Sequence, residues 1–219
     1  HLYEMDDNTM STILNTFGSV FPHVTVWNTL TTDLLLVGSS LPIQPDFEYI
    51  RSQFDNPAIR EDLDRVQVTR PAQILALQAL PESAFRFFVD EDRPVHTDDA
   101  PLLDYAAARN FYTGASSSAL QRHDARIRPL ETGGLFLAAY FNTYSLGEDD
   151  LISILQYYLT RGAETGQITP VLIRTMEALS PGFNYGRDLY RISHFNSVNR
   201  PEKAIEIIRH HLKVSLEKW

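Results

Sequence analysis

Two runs near the start of the chain, HVTVW (23–27) and DLLLVGS (33–39), have the β-branched and aromatic make-up of strands, with NTLTT between them. Runs that close together pair most simply as an antiparallel hairpin, and a two-stranded hairpin is marginal in water unless a helix or further strands cover it. A helix is available on the N-terminal side. Met10, Ile13, Leu14, Phe17 and Phe21 recur at helical spacing behind a capping residue, Asp6 or Asp7, and Pro22 ends the pattern.

Beyond the hairpin the apolar spacing is helical. Phe47, Ile50 and Phe54 form one pattern, Ile74, Leu75, Leu77 and Leu80 a second behind Pro71, and residues 85–89 a third. After Tyr112 a polar stretch, TGASSSALQRHDARIRP, leads into LFLAAYF (135–141) and three further helical segments. The last of these is opened by an Asn199/Glu202 capping box and carries Ala204, Ile205, Ile208, Leu212, Leu216 and Trp219 on one face. The expected fold is therefore α/β over residues 1–112 followed by an all-α extension, a helical bundle, over 113–219. LFLAAYF is the longest apolar stretch and falls far short of the ~20 residues of a membrane span. The opening at His1, without Met or a basic-then-apolar leader, suggests a processing boundary and a longer parent.

Charge narrows the functional classes. The first 104 residues hold 17 acids against six arginines and no lysine, whereas the remainder is slightly basic. Neither half supplies a basic stripe interleaved with aromatics, which sets nucleic-acid binding aside. An acidic half suits a cationic ligand such as a polyamine, although composition alone favours the simpler reading, a solvated acidic surface that aids solubility. The absence of cysteine excludes disulfides, thiolate metal sites and a cysteine nucleophile. None of the seven histidines forms H-E-x-x-H or an i, i+4 pair, so no metal site is expected. TGGLF is not a phosphate or dinucleotide loop, and ASSSA (115–119) lacks the nucleophile elbow. No residue is assigned a catalytic role.

The stretch TDDAPLLDYAAARNF (97–111) contains two adjacent acids, Asp98 and Asp99. Adjacent carboxylates repel, so they lie in water, face a cation, or cap a helix. The helical reading has Thr97 or Asp98 as the cap and Pro101 in the early turn, with Leu102, Leu103 and Tyr105 packed inward. The same stretch resembles T-D-D-x-P-x-x-E-[YF]-x-x-x-R, a motif near the end of the catalytic domain of bacterial spermidine-synthase-like proteins, the polyamine aminopropyltransferase family. Residues 2–39 are similar to that family's passage from the loop after the fifth sheet strand, through a helix, into the final strand pair.

The resemblance implies that the chain holds the last strands of a Rossmann-like methyltransferase sheet. It places Asp98, Asp99, Pro101, Asp104 (where Glu is commoner) and Arg109 on the motif, beside Thr97, and Tyr3 and Glu4 on an L-Y-E element. Glu4, Asp98 and Asp99 are then candidates for binding an amine substrate; Thr97, Pro101, Asp104 and Arg109 are structural. The family's adenosyl-binding glycine loop, ribose acid and general base would all lie upstream. This chain would thus hold no cofactor, the intact parent would use decarboxylated S-adenosylmethionine, and the fragment would be catalytically incomplete. Implied partners are the upstream catalytic and membrane-embedded domains of such a parent, at its cytoplasmic face, and a homodimer is compatible with this. WNTLTT replaces the family's Tyr-Pro-Ser-Gly-like element, which leaves the substrate open. The alternative is a non-catalytic helical module for protein interaction or oligomerisation.

Overall fold

The computed structural model describes residues 4–30, 33–90, 92–117, 120, 134–144, 149–150, 153–154, 157, 202–203 and 206–207. The polar stretch after Thr113 lies largely outside the described residues, as do Tyr3 and most of the last three helical segments. The chain forms two compact units, interleaved in sequence: His1–Gln44 with Gln78–Gly134, and Pro45–Leu77 with Leu135–Trp219. The change of texture at residue 112 falls inside the first unit.

In the first unit α1 (Asp7–Val20) is capped by Asp6, whose Oδ1 accepts from the Thr9 N–H at 2.7 Å. It ends where the Phe21 N–H closes on the Phe17 carbonyl, just before Pro22. Met10 and Leu14 are buried, but so are Thr9, Thr12 and Asn15, so α1 is covered on a polar flank as well as an apolar one. The hairpin follows as β1 (His23–Leu30) and β2 (Asp33–Ser39), antiparallel, with Val24 opposite Gly38 and Val26 opposite Leu36. The strand outruns HVTVW by three residues and draws Asn28 into register with Leu34.

A third strand, β3 (Gln78–Leu80), pairs antiparallel with the other side of β1, giving the order β2-β1-β3. Leu80, whose spacing reads as helical, is therefore in a strand. Helix α5 (Glu82–Phe85) folds back over β1, and the 3₁₀ turn that follows it (Arg86–Phe88) packs against α1. His23 Nδ1 lies 2.6 Å from Glu82 Oε1, and the Arg86 guanidinium donates to the Pro22 carbonyl. The core joins Met10 and Leu14 of α1 to Val24, Val26, Ala79, Leu80, Ala84 and Phe85. Gly38 is required by close approach: a Cβ there would sit 2.5 Å from Phe21 Cγ, so the ring that closes α1 lies against bare backbone.

The second unit is helical in its described part. Asp46 caps α2 (Phe47–Phe54), and Asn56 followed by Pro57 starts α3 (Pro57–Arg65). Both are amphipathic without a fully buried residue. Helix α4 (Pro71–Leu75) contacts α2 and α7 (Phe136–Thr143), and it supplies the buried Ala72, Gln73 and Leu75. Tyr140 of α7 meets Phe47 edge-on at 5.5 Å. Among the described residues no helix is long and apolar enough to cross a membrane.

Candidate functional site

The polar flank of α1 is explained by the segment after Val89, which runs along it and ends in α6 (Leu102–Thr113). Buried Asn15 takes hold of the segment at two points: its Oδ1 accepts from the Asp90 N–H at 2.9 Å and its Nδ2 donates to the Arg93 carbonyl at 2.9 Å. Arg93 in turn donates to Asn8 Oδ1 at 2.9 Å, and the His96 N–H donates to Thr16 Oγ1 at 2.9 Å. At the far end Asn110 Nδ2 donates to Thr9 Oγ1 at 2.8 Å, Arg109 approaches Asp6 at 3.4 Å, and Ser117 Oγ donates to Asp7 at 3.0 Å. One helix face thus satisfies the backbone of a loop that would otherwise leave polar groups unpaired.

The motif residues fall within this framework. Arg109 and the neighbouring Asn110 tie α6 to the first turn of α1, a structural role for Arg109. Thr97 caps no helix. Its Oγ1 and carbonyl both accept from the Ala100 N–H at 3.1 Å, closing a four-residue turn. The first turn of α6 is met instead by His96, whose Nδ1 accepts from the Leu103 N–H at 3.2 Å. Histidine lies outside the usual capping set, so spacing rules pass over it. Pro101 is the N-cap residue itself, and it has no side chain that can accept. Asp104 is exposed in the first turn of α6, where a carboxylate is favourable.

The inward packing expected for α6 is corrected by the structure. Tyr105 is 77% exposed, Leu102 is 37% exposed and Leu103 is half-buried; Asn110 is the buried residue of the helix. Asp98 and Asp99 sit exposed at the tip of the 97–100 turn and, among the described residues, make no hydrogen bond or ion pair. They are therefore the solvated pair, neither a cap nor part of a charge cluster. Glu4 is exposed and holds a left-handed φ of 55°.

A cleft of about 510 Å³ opens between α1, residues 90–94 and α6. Its charged lining is Arg93, Arg109 and Asp90, and its apolar lining includes Leu102, Leu103 and Ala106. Glu4, Asp98 and Asp99 do not line it. The cleft accordingly presents two guanidiniums and one carboxylate, the reverse of what an amine needs. Asn15, Arg93, His96 and Asn110 went unread in the sequence because their partners lie 7 to 101 residues away. Among the described residues no three His, Asp or Glu side chains converge as a metal site.

The Asp6 carboxyl is held below its ordinary value of 3.8, first by the Thr9 hydroxyl and then by the Thr9 N–H, with burial opposing and Arg109 contributing least. A depressed native pKa means that stability is fully present above the unfolded value of about 4 and is lost as the pH falls through the native one. Asp6→Asn keeps the cap and removes the charge. Its urea midpoint should lie below that of the parent at pH 7 and converge with it as the pH falls through the depressed native pKa; a gap that widens on acidification would refute the assignment.

Comparison of the chain with family models, with curated proteins and with solved structures finds no match.

Proposed function

We propose that this chain is the C-terminal, sheet-closing part of a spermidine-synthase-like transferase, catalytically incomplete by itself, whose intact parent transfers an aminopropyl group to an amine. The observation that carries the reading is the make-up of β2. Leu34 and Leu36 pack toward the core, yet Leu35 and Val37 on the opposite face are 51% and 37% exposed. Only β1 pairs with β2 among the described residues, and apart from Asp33 at its first position, beside the register irregularity between Asn28 and Leu30 of β1, the strand has no charge and no proline. Edge strands are ordinarily blunted by charges, prolines or bulges, whereas strands flanked and covered on both sides read as continuous apolar runs. β2 has the composition of an interior strand lying at an edge, which fits a sheet that continues in the parent.

The adenosyl group of decarboxylated S-adenosylmethionine needs a glycine turn for close approach and an acid for its ribose. The reading assigns both to the segment upstream. Titration calorimetry of this chain with S-adenosylmethionine or its decarboxylated form should give no saturable heat. Binding tighter than about 100 μM, about 5.5 kcal/mol, would overturn the proposal. The same reading predicts a glycine-rich strand-to-helix turn in the parent's upstream sequence.

A second reading, a non-catalytic interaction module, draws on α6, where Tyr105, Phe111 and Tyr112 are all exposed on one helix. It is favoured over the first if the parent sequence upstream lacks the glycine-rich turn.

A further inference from the structure

Two consecutive helices of the second unit carry the same pattern. RSQFD (51–55) runs from α2 into its C-cap and REDLD (60–64) lies in α3, so each sets an arginine three residues before an apolar side chain and four before an aspartate. That spacing gathers the three groups on one side of a helix. All six, Arg51, Phe54, Asp55, Arg60, Leu63 and Asp64, line a single cleft of about 520 Å³, a volume usual for small-ligand sites.

Neither arginine–aspartate couple is closed. Among the described residues Arg51 and Arg60 pair with no carboxylate, and Asp55 and Asp64 with no cation. Arg51 instead lies 4.3 Å from the centre of the Tyr144 ring and hydrogen-bonds Tyr140, neutral partners that leave it without a counter-ion. Other arginines of the unit are neutralised within the fold: Arg65 by Glu61 and Asp62 at 3.0 and 2.9 Å, and Arg70 by Asp149 and Asp150 at 3.3 and 3.1 Å. The order within each couple, cation before anion, is the weaker one on a helix and favours an external partner.

We propose that this cleft binds a short zwitterionic peptide, of dipeptide size, through its two charged ends. Two open guanidiniums and two open carboxylates cancel, so phosphate or a polyamine meets as much repulsion as attraction there. A ligand carrying one charge of each sign satisfies both kinds of group, its carboxylate on Arg51 or Arg60 and its ammonium on Asp55 or Asp64. Phe54 and Leu63 between them receive an aliphatic side chain. The inference uses no residue of the transferase motif and stands or falls independently of that reading.

The test is a two-dimensional NMR titration of the full chain with leucyl-leucine. Saturable shifts confined to the lining residues are expected, with N-acetyl-leucyl-leucine and leucyl-leucinamide each binding at least about tenfold more weakly, the effect of losing one charge-assisted contact. Arg60→Gln and Asp64→Asn should each weaken binding by a similar factor. Both side chains are exposed, so the thermal midpoint should stay unchanged. Absence of saturation by about 20 mM, capped peptides within about threefold of the free one, or equal binding of inorganic phosphate or spermidine would each overturn the proposal.

Discussion

Phe85→Ala should cost the protein about 3–5 kcal/mol and lower its urea midpoint without changing the slope of the transition. Phe85 is all but inaccessible and belongs to the core of Leu14, Val26 and Leu80. Its ring lies over Gly18 of α1, where a Cβ would meet Phe85 Cε1 at 3.0 Å and Val89 Cγ2 at 2.5 Å. The void left by alanine therefore borders a helix position with no side chain to lean into it, and relaxation recovers little. Gly18→Ala supplies the complementary sign test. Alanine should gain about 1 kcal/mol of helix propensity, yet the clash with Val89 should make the variant less stable than the parent. A Phe85→Ala loss below about 1 kcal/mol would mean that α5 does not seal this core.

The parts of the fold that were legible in the sequence are those governed by period. Met10 and Leu14 repeat every four residues and face the core, and the β-branched run at 23–27 lies inside β1. The helical spacing of Leu80 misleads because α4 stops at Leu75, and a three-residue strand such as Gln78–Leu80 is shorter than any window in which alternation can be seen. Its pairing partner, Val26, lies more than fifty residues away. The capping reading of Thr97 and Asp98 failed for a different reason. The same short polar side chains serve turns and N-caps alike, and only the position of α6 one residue after Pro101 separates the two.

The candidate amine site was legible only as residue types. Adjacency of Asp98 and Asp99 says nothing about what faces them, and their turn proves to be solvated. The buried polar residues carried no signal at all. Asn15, Asn110 and Gln73 would each be placed on an exposed face by pattern rules, and each is buried because a distant backbone or hydroxyl group needs a partner.

Gln73→Leu should be nearly as damaging as loss of Phe85, at about 3–5 kcal/mol, although it replaces a polar side chain by an apolar one of similar size. The Gln73 Oε1 accepts from the Thr69 N–H at 2.6 Å, the Arg70 N–H at 2.9 Å and the Thr69 hydroxyl at 3.3 Å. Its Nε2 donates to the Gln67 carbonyl at 3.2 Å and the Ser153 carbonyl at 3.0 Å. Leucine abandons these donors and acceptors, each at about 1–3 kcal/mol where water cannot replace the amide. It also releases Gln67, a non-glycine residue held at φ 57°, from the carbonyl contact that helps to fix it. Gln73→Glu separates the acceptor role from the donor role. A carboxylate still accepts from residues 69 and 70 but faces two carbonyl oxygens with no proton to offer. Burial and those carbonyls raise its native pKa above the unfolded value of about 4.3, so the native state binds more protons. The variant should be strongly destabilised at pH 7.5 and gain stability as the pH is lowered through the native pKa, where a protonated carboxyl donates again. Denaturant midpoints measured at pH 7.5 and pH 5 should thus converge for the variant and the parent on acidification. A Gln73→Glu protein as stable as the parent at pH 7.5 would show that the amide does not bridge residues 67 and 153.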